Sequence, residues 1–225
     1  MNKLIEVSSL KKNYRVGQKV ISVIKDICLS IYTGEYLSII GPSGAGKSTL
    51  LHILGGLDKP TKGKVFFKGK NIYKFGDQNL SFWRSKHVGF VFQFYHLIEE
   101  LTVAENIWIA AALSSVKKKI ILNKIQELLE YLGVEKRSNF FPSQLSGGER
   151  QKIAIARALI NDPEVILCDE PTGNLDKDSE DKVVNLLSSL NKDKKKTIIL
   201  VTHNLELANK AERKLAIKDG KMEVG

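Results

Sequence analysis

Cysteine is scarce in this 225-residue sequence, which contains only Cys28 and Cys168. Both lie in apolar, strand-like stretches, and neither has the spacing of a metal-binding cluster. A disulfide framework and a structural zinc site are therefore excluded as the basis of the fold. We expect a protein of a reducing, cytoplasmic compartment.

Long apolar runs are also missing. No stretch reaches the ~18 to 20 consecutive apolar residues that span a bilayer. The first ten residues, MNKLIEVSSL, lack the basic start and apolar run of a secretory signal. Internal repeats, low-complexity tracts and proline-rich linkers are absent as well. At this length the sequence predicts one α/β domain with its own core.

Acidic residues are fewer than lysine and arginine residues, and the formal net charge is +10. Such a charge is compatible with nucleic-acid binding, with contact to an anionic membrane surface, or with a generally lysine-rich composition. The lysines are scattered, and two short clusters at residues 117–119 and 194–196 lie between predicted elements. A solvated turn explains each cluster, so the charge alone does not identify a partner.

The hydrophobic pattern changes twice along the chain. The first third alternates as strands do, at residues 4–7, 27–31 and 36–40, whereas residues 101–160 have helical periodicity. The last third reads strand, helix, strand, helix, strand, with continuously apolar strands. Such strands predict a parallel sheet buried on both faces, into which a largely helical segment is inserted.

The stretch GPSGAGKST fits the pattern G-x-x-x-x-G-K-[ST] at every position. An apolar strand precedes it and a helix follows from about Lys47, which is the context that a phosphate-binding loop requires. An ordinary glycine-rich turn is the alternative. We predict that Lys47 contacts the β- and γ-phosphates of a nucleoside triphosphate and that Ser48 ligates Mg²⁺. The predicted nucleotide-binding residues are Gly41, Pro42, Ser43, Gly44, Ala45, Gly46, Lys47, Ser48 and Thr49.

In the stretch VILCDEP, residues 165–171, four apolar residues are followed by two adjacent acids. Asp169 is predicted at the carboxyl end of a parallel strand, where ligands of such sheets bind, and is suited to Mg²⁺. Glu170 should point the other way on an extended chain and be free to polarise an attacking water. Without the phosphate-binding loop, two acids here could equally begin a turn.

The stretch LSGGERQ resembles the signature of the ATP-binding-cassette (ABC) ATPases. Ser146 and Glu149 have capping-box spacing, which predicts a helix start. The resemblance implies that this turn contacts the γ-phosphate of an ATP held by a second copy of the chain. It therefore implies an ATP-dependent homodimer with Mg²⁺ and two composite sites. The signature residues are Leu145, Ser146, Gly147, Gly148, Glu149 and Gln151.

The same resemblance covers essentially the whole chain and implies its architecture. The fold would be a P-loop NTPase of the ABC type, with a mostly parallel core sheet, an antiparallel β subdomain and an inserted helical subdomain. Residues 1–92 and 159–225 would form the α/β core with its β subdomain. Residues from about 93 to 158 would form the helical signature subdomain.

Further positions match the family's motifs in order. Tyr14 matches the aromatic residue that stacks on adenine, although a packed strand tyrosine is the alternative. Gln93 matches the glutamine that links Mg²⁺ to the helical subdomain. His203 matches the histidine that senses the γ-phosphate, so Glu170, His203 and Gln93 are the implied catalytic residues. Asn174, Leu175 and Asp176 match the loop that crosses the dimer interface.

Longer strings resemble a group of ABC ATPases for lipoprotein release, macrolide export and cell division. These strings are STLLHILGGLDKPTKGKV, GFVFQFYHLIEELTVAENI and DEPTGNLD, of which LLHILGGLD and FQFYHL favour lipoprotein release. Lys152 stands where the family usually has arginine, and Cys168 where it usually has alanine. These departures put the subfamily in doubt, but neither removes a catalytic group.

The subfamily resemblance implies work with a separate membrane permease, at the inner face of the cell membrane, on lipoproteins or other amphiphilic cargo. The apolar residues Phe94, Tyr95, Leu97 and Ile98 would line a docking groove for that permease, or else form the core of the helical subdomain. Two rival functions stay open. One is a signalling ATPase that controls a cell-wall enzyme through a membrane partner. The other, which we do not expect, is a nucleic-acid-linked ATPase.

Overall fold

The computed structural model describes residues 2–112 and 116–223. The strands are β1 (Lys3–Val16), β2 (Lys19–Tyr32), β3 (Tyr36–Ile40), β4 (Lys62–Phe67), β5 (Lys70–Asn71), β6 (Val88–Phe92), β7 (Val165–Asp169), β8 (Thr197–Thr202), β9 (Arg213–Lys218) and β10 (Lys221–Glu223). The α-helices are α1 (Lys47–Leu54), α2 (Asp77–His87), α3 (Val103–Ala111), α4 (Lys118–Tyr131), α5 (Gly147–Leu159), α6 (Lys177–Lys192) and α7 (Leu205–Ala208).

The larger sheet has six strands in the order β10-β9-β3-β8-β7-β6. The strands from β9 to β6 are mutually parallel, and only β10 is antiparallel to its neighbour. Strand β8 is buried at every position, and β3 and β7 at all but the last. This is the continuous burial that helices on both faces produce, so the predicted parallel core is confirmed.

The smaller sheet is antiparallel, with the order β2-β1-β4-β5. Strands β1 and β2 are each 14 residues long, much longer than the apolar stretches at 4–7 and 27–31 that predicted them. The apolar pattern marks only the ends that pack, whereas the far ends extend beyond the core as an exposed hairpin. Ile5 and Ile27 from this sheet share one core with Ile39 of the large sheet and Leu50 of α1.

A second core lies between the large sheet and the helices α3 to α5. Ile107, Ile125 and Ile153, one from each helix, pack there with Ile166 of β7. The apolar face of α4 is buried at Ile125 and Leu129 and half-buried at Leu128, Leu132 just after the helix is also buried, and the chain turns away at Gly133. Within the described parts of the chain, no helix has the length and apolar character needed to cross a membrane.

Candidate functional site

The phosphate-binding loop connects β3 to α1 at the carboxyl end of the parallel sheet. Gly46 has a φ of 100°, and a Cβ there would lie 2.9 Å from the carbonyl oxygen of Val23. A Cβ on Gly41 would lie 2.1 Å from the carbonyl oxygen of Ile217. Only glycine fits these two positions, and the resulting tight turn points the N-terminus of α1 at the concave side of the loop, where a phosphate group would bind.

Lys47 is the first residue of α1, and its side chain folds back over the loop. The ammonium donates to the carbonyl oxygens of Gly41 at 2.9 Å and Pro42 at 3.0 Å. The residue is 8% exposed. These contacts hold a positive charge against the loop, where it can pair with phosphate oxygens.

Ser48 and Asp169 bring two oxygen ligands together from distant parts of the chain. The Ser48 hydroxyl donates to Asp169 Oδ1 at 2.9 Å. Burial, with a contribution from the charge of Glu170, raises the pKa of Asp169, against the lowering effects of Ser48, His52 and Lys47. A cation beside this carboxylate would offset its unfavourable burial.

A hydroxyl and a carboxylate fit Mg²⁺, which binds oxygen and takes only one or two protein ligands when substrate phosphates supply others. No group of three or more His, Cys, Asp or Glu side chains suited to a metal occurs in residues 2–112 and 116–223. Ser48 and Asp169, together with Gln93 as the resemblance implies, would hold Mg²⁺ with a bound triphosphate.

The predicted conformation of Glu170 is wrong. Strand β7 ends at Asp169, and Glu170 has a φ of 46°, in the left-handed region rather than extended. Its carboxylate is also held in place by two neighbouring side chains. Oε2 accepts from the hydroxyl of Thr202 at 2.9 Å, and Oε1 lies 2.8 Å from Nδ1 of His203. The sharp turn after β7 brings Glu170 to the end of β8, which fixes the carboxylate beside the histidine.

Gln93 leaves the sheet directly beside this cluster, since its neighbour Phe92 pairs with Asp169. Its amide nitrogen donates to Asn174 Oδ1 at 3.3 Å, and Asn174 donates back to the Gln93 carbonyl at 3.1 Å. A Cβ on Gly173 would lie 2.7 Å from the same amide nitrogen. The structure thus places Gln93 against the loop that was predicted to cross a dimer interface. In that loop Asn174 is exposed, and Asp176 caps α6 through the Ser179 amide.

The predicted capping box at the start of α5 is present. Ser146 Oγ accepts from the Glu149 amide at 3.3 Å, and Glu149 Oε2 accepts from the Ser146 amide at 2.9 Å. Arg137 also donates to Glu149, at 2.8 Å. The Ser146 amide, together with the arginine, lowers the pKa of Glu149 against the effect of partial burial. The carboxylate therefore stays ionised and keeps the turn in one conformation.

Two signature residues do not face outward. Leu145 and Gln151 are buried, at 6% and 0% exposure, so neither side chain can contact a nucleotide held by a second copy. Capping-box spacing sets where a helix begins, but the packing of α5 decides which side chains turn inward. Ser146 is exposed and Gly147, Gly148 and Glu149 are partly exposed, so these four signature residues remain open to an outward contact.

Tyr14 lies near the end of β1 and is 39% exposed, which does not fit a packed core tyrosine. Its hydroxyl donates to Asp58 Oδ2 at 2.6 Å. The Thr49 side chain, in the first turn of α1, lies close enough to this hydroxyl to influence its pKa. The ring is thus fixed next to the phosphate-binding loop.

Sequence reasoning missed Thr202 and Asp58 as residues that hold Glu170 and Tyr14. A signal for Thr202 existed, because it directly precedes His203 at the end of the apolar strand that follows that of Asp169 in the sequence. Strand pairing of Asp169 with Val201 then places Glu170 opposite Thr202. No such signal existed for Asp58, which lies 44 residues from Tyr14.

Residues 24–173 match the ABC transporter family. The chain is 46% identical over 219 residues to the lipoprotein-releasing system ATP-binding protein LolD of Wigglesworthia glossinidia brevipalpis, covering 97% of this chain and 96% of LolD. It is 44% identical over 222 residues to the macrolide export ATP-binding/permease protein MacB of Shigella flexneri, covering 99% of this chain and 34% of MacB.

The solved structures that resemble this chain include the dimeric bacterial ABC transporter cassette MJ0796. The TM-score is 0.91 at 39% identity, with 98% of this chain and 97% of that chain covered. A post-hydrolysis dimer of the same cassette, bound to ADP and Pi, gives a TM-score of 0.91 at 38% identity. The predicted ABC-type P-loop fold is confirmed. The similarity extends over nearly the whole chain, including the strands and loops that carry the site, so the chain belongs to the ABC transporter family as an ATP-binding, ATP-hydrolysing subunit.

Proposed function

We propose that two copies of this chain power a separate membrane permease that releases lipoproteins or exports other amphiphilic cargo. The observation that carries this proposal is the similarity to LolD over nearly the full length of both chains. The similarity to MacB, a protein named as both ATP-binding and permease, supports work on a membrane-embedded partner. The chain would then be cytoplasmic and bind at the inner face of the membrane.

Each chain would contribute two different surfaces to the work. The phosphate-binding loop, with Ser48, Asp169 and bound Mg²⁺, would hold ATP, and Mg²⁺ would neutralise phosphate charge. The exposed turn at Ser146–Gly148 would cover the ATP of the other copy. Glu170, oriented by Thr202 and His203, would take a proton from the attacking water. Residues 93–158 would move as the helical subdomain when the dimer closes. The segment after Gln93 would transmit this movement to the permease.

The composite arrangement predicts recovery of activity when two inactive variants are mixed. Lys47→Ala removes the phosphate cation and Ser146→Arg blocks the signature turn, so each chain alone should be inactive. In a heterodimer both defects fall in one site and the other site is intact. Random pairing gives up to about a quarter of the wild-type ATPase rate if sites act independently.

The ATPase activity of the mixture is measured as the rate of phosphate release per total concentration of chains. A positive result requires that the two motifs act across an interface, because within one chain every copy is defective. Strict coupling of the sites could suppress recovery, so a second measurement is needed. A Glu170→Gln chain, which should hydrolyse ATP slowly, is expected to stay trapped as an ATP-bound dimer. Adding Ser146→Arg to that chain should abolish the dimer while each copy still binds ATP. A dimer that persists would contradict the composite site.

The permease-docking prediction concerns the segment after Gln93. Phe94 is 68% exposed and Ile98 is 40% exposed, whereas Leu97 packs against the core of the helices. The docking and core interpretations therefore apply to different residues. The carbonyls of Tyr95 and His96 accept from the half-buried Arg157 of α5, which ties the segment to the signature helix.

We expect Phe94→Asp to leave ATP hydrolysis by the isolated chain within about twofold of wild type, because an exposed side chain contributes little to the fold. The same change should prevent co-purification with a co-expressed permease of the lipoprotein-releasing type. Tyr131→Asp, another exposed aromatic, is the matched control and should co-purify normally. Retained binding and permease stimulation in Phe94→Asp would place the coupling surface elsewhere.

The cell-division type of function, signalling through a membrane partner to a cell-wall enzyme, is the second candidate. It is favoured by the same group resemblance and uses the same ATP site. The two functions differ in whether ATP turnover is coupled to cargo. Reconstitution with the permease and a fluorescent lipoprotein in vesicles distinguishes them, because only transport makes cargo release depend on ATP hydrolysis.

A further inference from the structure

Asp58 lies in the turn after α1 and has a backbone that is held in place. Its amide donates to the carbonyl of His52 at 3.3 Å, and its carbonyl accepts from the Tyr73 hydroxyl at 2.6 Å. The turn is therefore fixed to α1, the helix that begins at the phosphate-binding loop. Whatever the Asp58 side chain holds is fixed relative to that loop as well.

The carboxylate of Asp58 bridges two side chains of β1. Oδ1 accepts from the Lys12 ammonium at 2.5 Å, and Oδ2 accepts from the Tyr14 hydroxyl at 2.6 Å. Burial disfavours the charge of Asp58, but the hydrogen bonds from Lys12 and Tyr14 outweigh it and lower its pKa. Burial and the bond to Asp58 raise the pKa of Tyr14, which therefore keeps its proton and donates.

Lys12 is an unusual lysine because its side chain is only 11% exposed. Besides Asp58, its ammonium donates to the carbonyl of Lys59 at 2.8 Å. It also lies 4.6 Å from the centre of the Tyr14 ring, in a cation–π contact. A nearly buried ammonium is costly to separate from its partners, so Lys12 stays over that face of the ring.

We propose that Lys12 and Asp58 are positioning residues that hold the Tyr14 ring ready to stack on the base of the bound nucleotide. Lys12 covers one face of the ring, so the base stacks on the other. Asp58 fixes the hydroxyl end of the ring and, through the bond of its amide to His52 of α1, the position of the ring relative to the phosphate-binding loop. This inference rests on the proposed ATP-binding function and on the adenine-stacking role that the family resemblance implies for Tyr14. It adds how the chain prepares that residue before the nucleotide arrives.

The test is a double-mutant cycle on affinity for a non-hydrolysable ATP analogue with Mg²⁺, measured by calorimetry on the full chain. Asp58→Asn should weaken binding about 3- to 10-fold, since binding must then order a ring that is otherwise preordered. In a Tyr14→Ala background the same change should have less than about a twofold effect, because no ring is left to position. Asp77→Asn is the matched control. Asp77 pairs with Lys59 at 2.8 Å, is 86% exposed and should leave affinity unchanged.

Two further variants keep the test decisive if Asp58→Asn is unstable. Tyr14→Phe retains the ring and loses only the bond to Asp58, so it should weaken binding to a similar extent. Lys12→Met should do the same, and Lys12→Arg, which keeps the cation over the ring, should restore part of the affinity. Wild-type affinity in Tyr14→Phe, or an Asp58→Asn effect of equal size in both backgrounds, would overturn the positioning role. Wild-type affinity in Tyr14→Ala would instead overturn the stacking role of Tyr14 on which it rests.

Discussion

Replacing Glu170 by glutamine should slow ATP hydrolysis by roughly 10² to 10⁴-fold while ATP still binds, the usual contribution of a positioned general base. An amide has nearly the shape of the carboxylate and can still accept from Thr202 and contact His203. The loss would therefore fall on proton abstraction and not on the fold. In the proposed cycle the dimer opens only after hydrolysis, so ATP should also trap two copies of this variant together.

Phosphate release gives the rate, and size-exclusion chromatography with ATP gives the dimer. Glu206→Gln serves as the matched control, since Glu206 is an exposed glutamate that pairs with Lys177 and should leave turnover unchanged. Near wild-type turnover in Glu170→Gln, with only monomer in the presence of ATP, would mean that another group is the base. A lower thermal transition would show instead that the change acts on folding.

The backbone at Glu170 gives this prediction its structural basis. A left-handed conformation at a non-glycine residue costs on the order of 1 to 3 kcal/mol and persists only where the surroundings impose it. Here the Glu170 amide donates to Val201 at 2.9 Å, and the carboxylate accepts from the next residue of β8. Both contacts join β7 to β8, so the parallel sheet itself holds the carboxylate at its carboxyl edge.

Features that depend on local rules were predicted well from the sequence. The phosphate-binding loop was predicted between a strand ending at Ile40 and a helix beginning at Lys47, and these are the bounds of β3 and α1. The capping box at Ser146 follows from spacing alone because both of its bonds form within four residues. Buried strands were likewise predicted from continuous apolar runs.

Features that depend on distant contacts were not predictable. The rule that side chains alternate assumes an extended strand, and β7 stops one residue before Glu170. The inward direction of Gln151 depends on how α5 packs. The bridge from Asp58 to Lys12 joins positions 46 residues apart. In each case the deciding contact lies outside the window that a local pattern covers.

Lys47→Ala should reduce ATP affinity by roughly 10²-fold or more, because charge-assisted hydrogen bonds from a nearly buried ammonium to phosphate are lost. The ammonium is already held against the loop by the carbonyls of Gly41 and Pro42, so binding does not have to order it. Calorimetric titration with ATP measures the loss directly. A second measurement is the rise in unfolding temperature that ATP causes, which should disappear in the variant.

Two variants separate the charge of Lys47 from its packing. Lys47→Met keeps most of the buried stem and removes only the ammonium, so it should lose ATP affinity to nearly the same extent and unfold close to the wild-type temperature. Lys64→Ala removes an exposed lysine of β4 and should bind ATP normally. If Lys47→Met bound ATP with wild-type affinity, the ammonium would not be the phosphate cation. The loop between β3 and α1 would then hold the triphosphate by its backbone amides and the helix N-terminus alone.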